Sequence, residues 1–394
     1  MQHVVLISKD VLSTRYLPQY GNRYWKTPNI DELAAKGTVF HRHYTAAPST
    51  AMAFTGMFTG KYPYETGRTN YTEVEEFDGT TLFDEMEKKG YTCHLLWSAN
   101  YVYMAERFSR CYGKNTIHHD GLKFNQSVGP HMPGGLGELT ADDAVAEEYY
   151  AKLMEELDSI DRSSPVFLWV HLPHVLMGRT GYGDDIDLLD RFVGDVRQRF
   201  GDYIFVTADH GSNDGKDGKT GYGFDLYESS IRIPLIAPKL EGMDQVHTLT
   251  SNIDLMEMIV NGAIPKNDYV VSDTAYYEQP HRKIAILSGN YKFIYDKAKK
   301  KKSLYDVVED PAENIDLNCP VLPDTDRHRN VVASQVLFYP YRDEAKKAYD
   351  HLNAIFEKIW VNGSFKANFK NKMLNRVKYF YGYWKAVLKR LREK

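Results

Sequence analysis

Polar and ionisable side chains stand at the ends of four apolar runs that are typical of buried strands. The residues at these strand ends are Asp10, Asn100, His171, His174, Asp209 and His210. The run before Asp209, residues 203–208, is continuous and β-favouring, as in the strands of a parallel sheet. Because ligands bind beyond the carboxyl ends of the strands in open α/β sheets, we expect these side chains to line one site.

Carboxylates and imidazoles in such a place are typical metal ligands. We expect Asp10, Asp209 and His210 to hold one divalent ion, with the hydroxyl of Thr50 as a further ligand. One histidine among oxygen ligands favours Mn²⁺ or Zn²⁺, with Mg²⁺ and Ca²⁺ as alternatives. Taken alone, Asp209 and His210 are explained equally well as a turn aspartate and a surface histidine.

Thr50 lies where small residues begin a predicted helix, next to Ser49. Metal coordination lowers the pKa of a hydroxyl and makes it a nucleophile at neutral pH, which is the role we predict for Thr50. The alternative role is that of a helix N-cap. The side chains expected to stabilise the oxyanion of a phosphoryl or sulfuryl ester are His171, His174, Lys216 and Lys219.

Strand-like and helix-like segments alternate over the first two thirds of the chain. Strands are predicted at residues 3–8, 39–44, 91–97, 166–174, 203–208 and 231–237, and helices at 28–36, from 51, 80–90, 140–157 and 184–200. This alternation indicates an α/β fold with a doubly wound, mostly parallel sheet.

The pattern changes near residue 268. Short strands at 283–288, 291–295 and 303–305 predict a small antiparallel sheet, residues 299–302 a hairpin loop, and 343–360 a helix. We therefore divide the chain into a catalytic domain (1–265), a C-terminal subdomain (266–323) and a helical appendage with a basic tail (324–394).

The basic residues are concentrated at the end of the chain. Residues 365–394 hold ten basic residues and one acidic residue, a net charge of +9, which leaves −13 for the rest of a chain whose total is −4. Apolar residues recur there at helical spacing, so we predict a helix lying on an anionic membrane surface. The alternative is a helix packed on the protein itself, and a nucleic-acid partner is not expected.

Cellular location is predicted from three features of the sequence. The three cysteines show no metal or disulfide spacing, and strand-like sequence begins at residue 3, which leaves no room for a signal peptide. No apolar run approaches the ~18 residues of a membrane span. We expect a cytoplasmic protein, peripheral on the inner face of the membrane.

The motifs together resemble the sulfatase-type branch of the alkaline phosphatase superfamily. The resemblance covers residues 3–318 and rests on these segments: 27–34 (TPNIDELA), 46–63, 170–174 (VHLPH), 207–211 (TADHG), 226–236 (LYESSIRIPLI), 289–295 (GNYKFIY) and 304–313 (LYDVVEDPAE). It implies the alkaline phosphatase-like fold and a metal-dependent activity on esters.

Two positions depart from the sulfatases of this family. Sulfatases carry a cysteine or serine that becomes formylglycine, within a Cys-x-Pro-x-Arg pattern, whereas this chain has Thr50 with neither the proline nor the arginine. Tyr222 stands where relatives often carry a sulfate-binding lysine. Threonine is the nucleophile of the family's phosphotransferases, such as lipoteichoic acid synthase-like and phosphoethanolamine transferase-like enzymes.

The resemblance thus implies a phosphotransferase or phosphodiesterase with a covalent phospho-Thr50 intermediate. Its partners would be a phosphoester donor and an alcohol or sugar acceptor, in a cell-surface polysaccharide or lipid-linked precursor. The residues expected to bind substrate are Asn100, Lys216, Lys219 and Tyr222. The alternatives are a sulfuric ester hydrolase and a catalytically inactive binding protein of the same fold.

Overall fold

The computed structural model describes residues 2–66, 79–97, 115–119, 143–172, 182–216, 220–274, 281–318 and 342–362 of the 394-residue chain. Three predicted site residues, Asn100, His174 and Lys219, lie outside these ranges, as does the basic tail 365–394. None of the helices in the described ranges has the length and apolarity that a bilayer crossing needs.

An eight-stranded sheet forms the centre of the molecule, in the order β11-β2-β10-β7-β1-β6-β4-β5. Its strands are β1 (Val4–Lys9), β2 (Thr38–Phe40), β4 (Thr92–Trp97), β5 (Ile117–His119), β6 (Val166–Leu172), β7 (Ile204–Ala208), β10 (Leu235–Ala237) and β11 (Gln245–Val246). Only β10 runs antiparallel to its neighbours among the described pairings. The predicted mostly parallel sheet is therefore confirmed.

Two pairs of short strands lie outside this sheet in the described part of the chain. β3 (His43–Tyr44) pairs in parallel with β12 (Thr250–Ser251), and β8 (Asn213–Asp214) pairs antiparallel with β9 (Thr220–Gly221). The single strand predicted for residues 39–44 is thus divided between two sheets.

Helices cover both faces of the large sheet, because alternate side chains of its strands point to opposite faces. The described helices are α1 (Pro28–Lys36), α2 (Thr50–Thr59), α3 (Leu82–Lys88), α4 (Asp143–Ser159), α5 (Tyr182–Phe200), α6 (Glu228–Ile231), α7 (Leu255–Asn261) and α8 (Arg342–Asn362). Val5 and Ile7 pack with apolar residues of α1, α4 and α5, whereas Leu6 packs with those of α2, α3 and α7. The two cores confirm the doubly wound architecture.

The strand predicted for residues 231–237 is only partly correct. Ile231 ends the short helix α6, and β10 begins at Leu235. Pro234 lies between them and has no N–H to donate to a neighbouring strand, which explains the late start. β10 also is not the last strand of the large sheet, since β11 follows it beside β2.

The C-terminal sheet is antiparallel, as predicted, and has one more strand than the sequence indicated. Its order is β13 (Val270–Asp273), β14 (Lys283–Ser288), β15 (Tyr291–Asp296) and β16 (Lys301–Asp306). β16 begins two residues earlier than expected and shortens the hairpin loop. α8 packs on this sheet, with ring centroids of Phe356 and Tyr295 4.8 Å apart. The division at 1–265, 266–323 and 324–394 stays a prediction.

Candidate active site and metal centre

Three neighbouring strands bring the predicted ligands together. β1 lies between β6 and β7, and its register places Ser8 beside His171 and Lys9 beside Ala208. Asp10 therefore follows β1 at the level where Asp209 follows β7. The N–H of Asp10 donates to the carbonyl of Leu172 at 2.9 Å, which extends the pairing one residue past the strand.

Asp209 is fully buried and is held by the backbone on one side only. Its Oδ1 accepts hydrogen bonds from the N–H groups of Val11 (3.2 Å) and His210 (2.7 Å). Its Oδ2 is also buried and accepts no hydrogen bond within the described part of the chain. Burial raises the pKa of Asp209, and the nearby carboxylate of Asp10 adds to this rise. His210 and Thr50 lower the pKa and offset this rise only in part.

His210 is oriented by its own loop. Its Nδ1 lies 2.8 Å from the carbonyl oxygen of Gly211, which can only accept, so Nδ1 carries the proton. The Nε2 lone pair then faces the site, 3.2 Å from Thr50 Oγ1 and 3.4 Å from Asp209 Oδ2. Asp10 Oδ1 lies 3.8 Å from the same nitrogen. The four side chains that the sequence predicts as metal ligands therefore lie close together.

His171 reaches the same cluster from β6. Its Nδ1 lies 2.9 Å from Ser8 Oγ, which also accepts from the indole N–H of Trp169 at 3.0 Å and donates to the carbonyl of Val170 at 3.3 Å. With its single hydroxyl proton used in this way, Ser8 accepts from Nδ1 of His171, and Nε2 carries the lone pair. Burial lowers the pKa of His171 to about 3, so the imidazole is neutral. A neutral imidazole suits metal binding better than the predicted stabilisation of an oxyanion.

The donor set fits a divalent cation. Ligand atoms of Asp10, His171 and Asp209 all lie within 4.8 Å of one another, and all three residues are buried. Two buried carboxylates repel each other unless a cation lies between them. Both histidines donate Nδ1–H to a protein oxygen and turn Nε2 inward, the arrangement usual for metal-binding histidines. The sequence named His171 but did not place it among the ligands; its position inside a strand gave no sign of which way it points.

Thr50 is the first residue of α2, and it is not the cap of that helix. The N-cap is Ser49, whose side chain makes no capping hydrogen bond. Every residue of α2 is buried, and Thr50 is 5% exposed, with its hydroxyl beside His210. The helix start therefore presents the Thr50 oxygen and free N–H groups to the carboxylate cluster.

The backbone around the cluster is tightly constrained. A Cβ on Gly211 would lie 2.1 Å from the carbonyl oxygen of Ser229, so only glycine fits there. Val11 has a φ of 57°, a left-handed conformation that is rare for a β-branched residue. This conformation directs the N–H of Val11 to Asp209. Such strain is commonly found where a functional geometry must be held.

The structure describes two further predicted site residues, and only one of them lies at the site. Tyr222 lies at the site, with its ring centroid 4.6 Å from that of His210. Lys216 instead directs Nζ to the carbonyl oxygens of Ala312 and Glu313, the latter at 2.6 Å. Its predicted contact with an oxyanion stays a prediction.

Comparisons with known proteins relate the chain to sulfatases. The sulfatase family model matches residues 2–175. N-acetylgalactosamine-6-sulfatase of Rattus norvegicus is 27% identical over 337 residues, which cover 68% of this chain and 64% of that protein. An arylsulfatase of Clostridium perfringens is 30% identical over 120 residues, or 30% of this chain and 24% of that protein.

Solved structures share the fold at low sequence identity. A phosphonate monoester hydrolase of Agrobacterium radiobacter has a TM-score of 0.62 and 15% identity, covering 89% of this chain and 96% of that one. A 2-O GAG sulfatase has a TM-score of 0.64 and 15% identity, covering 89% and 94%.

Residues 2–175 match the sulfatase family model, and solved sulfatases and a phosphonate monoester hydrolase share the fold. Both findings support the resemblance, read from the motifs, to the sulfatase-type branch of the alkaline phosphatase superfamily. The match of the chain to the N-acetylgalactosamine-6-sulfatases spans 64% of their length. The particular substrate and reaction of this protein are therefore matters for proposal.

Proposed function

We propose that this protein is a metal-dependent hydrolase or transferase of phosphoric esters, with Thr50 as the nucleophile. The observation that supports this most directly is the position of Thr50 Oγ1, buried at the start of α2 and 3.2 Å from His210 Nε2. A sulfuric ester hydrolase is the alternative, favoured by the names of the sulfatases that the chain matches. Threonine is not a precursor of formylglycine, and for this reason we place the alternative second.

Asp10, Asp209 and His210 would hold the metal ion with Thr50, and His171 adds a nitrogen ligand from β6. When bound, a divalent ion lowers the pKa of the Thr50 hydroxyl and offsets negative charge on the group being transferred. One histidine was the basis for favouring Mn²⁺ or Zn²⁺; a second imidazole strengthens that preference over Mg²⁺ and Ca²⁺.

The residues of the chain then have separate tasks. His210, fixed by the Gly211 carbonyl, orients the Thr50 oxygen. That oxygen gives up its proton to solvent and forms a bond to phosphorus, while the bond from phosphorus to the leaving oxygen breaks and the leaving group takes up a proton from solvent. Water, or an alcohol or sugar hydroxyl, afterwards takes the phosphoryl group from Thr50 and restores the free hydroxyl. Tyr222, packed on His210, forms a wall for the substrate in place of a cationic side chain.

The test compares bis-p-nitrophenyl phosphate with p-nitrophenyl sulfate in the presence of Mn²⁺ or Zn²⁺. We expect turnover of the phosphodiester with release of one p-nitrophenol, and a mass spectrum of the quenched protein should show a p-nitrophenylphosphoryl adduct on the peptide that contains Thr50. Turnover of the sulfate ester alone would support the alternative. No turnover of either ester, with no bound metal, would indicate a binding protein.

Substitutions at Thr50 make the test specific. Thr50→Ala should lower turnover by about 10³-fold or more, because the covalent step is lost, while Thr50→Ser retains part of it. Thr55→Ala is a matched control: Thr55 lies on the same helix, is also buried, and its hydroxyl donates to the Ala51 carbonyl at 3.0 Å. Normal turnover by Thr50→Ala would exclude Thr50 as the nucleophile.

A further inference from the structure

We propose that Lys292, in the C-terminal sheet, is a positioning residue that fixes His210 in the candidate active site. Its effect on turnover rests on the proposed function, whereas its effect on the backbone near His210 does not. Lys292 is 0% exposed, and its Nζ lies 3.0 Å from Glu228 Oε1 and 2.6 Å from Glu313 Oε1. The three buried ionic side chains come from β15, from α6 and from the segment after β16.

Hydrogen bonds hold both carboxylates of the ion group. The N–H of Glu228 donates to Glu313 Oε2 at 2.7 Å, and the hydroxyl of Tyr44 donates to Glu228 Oε2 at 3.2 Å. Burial lowers the pKa of Lys292, but the two carboxylates outweigh this effect and leave its pKa raised, so the ammonium is charged. Removing one member of a buried ion group leaves an uncompensated charge, so the group holds its members in one arrangement.

A short series of hydrogen bonds leads from this ion group to the candidate nucleophile. Glu228 begins α6, and the carbonyls of the next two residues, Ser229 and Ser230, accept from the N–H groups of Ser212 (3.1 Å) and Gly211 (2.9 Å). The carbonyl of Gly211 in turn accepts from Nδ1 of His210. A shift of Glu228 would therefore move the atom that determines which nitrogen of His210 faces Thr50.

Two further contacts join the same segment to the C-terminal part of the chain. Asp225, which accepts from the Asn213 amide at 3.1 Å, forms an ion pair with Lys283 of β14. Lys216 donates to the Glu313 carbonyl at 2.6 Å. The segment after His210 is thus attached to the C-terminal part of the chain at several places. Among the cations of these contacts, Lys292 is the fully buried one.

The test uses Lys292→Met with Arg282→Met as the matched control. Arg282 is also a cation of the C-terminal part, and it pairs with the buried Asp273 and stacks over Trp360, both of which belong to the C-terminal part as well. Hydrogen exchange of the Gly211 and Ser212 amides is measured in the metal-free, full-length proteins under conditions where both are folded. We expect exchange of these two amides to rise at least tenfold in Lys292→Met and to stay near the unsubstituted rate in Arg282→Met.

Kinetics on bis-p-nitrophenyl phosphate add a functional measurement. A displacement of about 1 Å at a catalytic group can lower turnover by about 10²-fold, so we expect kcat of Lys292→Met to fall by that factor with a smaller change in KM. If Lys292→Met does not fold, Glu228→Gln, which keeps the side-chain shape, should give the same pattern with smaller amplitude. Equal exchange of both amides in the Lys292 and Arg282 variants would overturn the proposal. Absence of turnover in the unsubstituted protein would count against the proposed function and leave the exchange comparison decisive.

Discussion

Asp209→Asn should change the stability of the protein in opposite directions with and without metal. Asparagine has the shape of aspartate, and its oxygen can keep the hydrogen bonds from Val11 and His210. The substitution removes the charge and puts an amino group in place of Oδ2, which accepts no hydrogen bond among the described residues. The effect therefore isolates the electrostatic role of this carboxylate.

The direction of the stability change without metal follows from the raised pKa of Asp209. An aspartate whose pKa is higher in the folded state destabilises that state at neutral pH, by about 1.36 kcal/mol per pKa unit. We expect Asp209→Asn to stabilise the metal-free protein by roughly 1–3 kcal/mol on that scale.

The effect of Asp209→Asn on the free energy of unfolding should change sign when metal is in excess. A ligand at a thousand times its Kd stabilises the folded state by about 4.1 kcal/mol, which exceeds the roughly 1–3 kcal/mol above, and the asparagine variant should lose this gain almost entirely. For 394 residues this gain corresponds to roughly 5 °C in Tm, at about 2.1 cal/mol/K per residue. Thermal and urea unfolding in EDTA and in Mn²⁺ or Zn²⁺ measure both signs.

Asp254 provides the control for this experiment. Burial raises the pKa of Asp254 to about 6, and its neighbours are Ser251 and Asn267, outside the candidate site. Asp254→Asn should respond to metal as the unsubstituted protein does. The reasoning is refuted if Asp209→Asn gains as much stability from metal as Asp254→Asn, or if metal stabilises neither the variants nor the unsubstituted protein.

The remaining predictions concern the backbone, the pH dependence and the tail. Gly211→Ala should lower both turnover and metal occupancy, measured by elemental analysis, because its Cβ would overlap the Ser229 carbonyl; full occupancy would show that the backbone can adapt. Burial lowers the pKa of His43 to about 3, so stability is lost as pH falls below the unfolded value, by about 2 kcal/mol at pH 5, and this loss should be absent in His43→Gln. Urea unfolding at pH 7 and pH 5 measures the loss of unfolding free energy in both proteins, and an equal loss in His43→Gln and the unsubstituted protein would contradict the prediction. The intact chain should sediment with phosphatidylglycerol vesicles at low salt and a chain lacking residues 365–394 should not; equal sedimentation would argue against the membrane helix.

The sequence by itself grouped four residues of the candidate site and indicated the class of the fold. Short, continuous runs of apolar and β-favouring residues are typical of strands buried on both faces, and in a parallel sheet the residues that follow such strands meet at one edge. For this reason Asp10, Asp209 and His210 could be grouped although about 200 residues separate the first from the others. The start of α2 at Thr50 followed equally from local residue preferences.

The orientations of the site side chains and their hydrogen-bond partners were decided only by the tertiary structure. The order β7-β1-β6 placed His171 inside the carboxylate cluster, and Ser8 and Gly211 determined which nitrogen of each histidine faces it. Lys216 donates hydrogen bonds to backbone carbonyls that lie nearly 100 residues further along the chain. A hydrogen-bond partner or a depth of burial depends on residues that are distant in sequence, and no local pattern records either. The same reason hid Lys292: a lysine in a short strand is usually exposed to solvent, and only the packing of the two sheets buried it against Glu228 and Glu313.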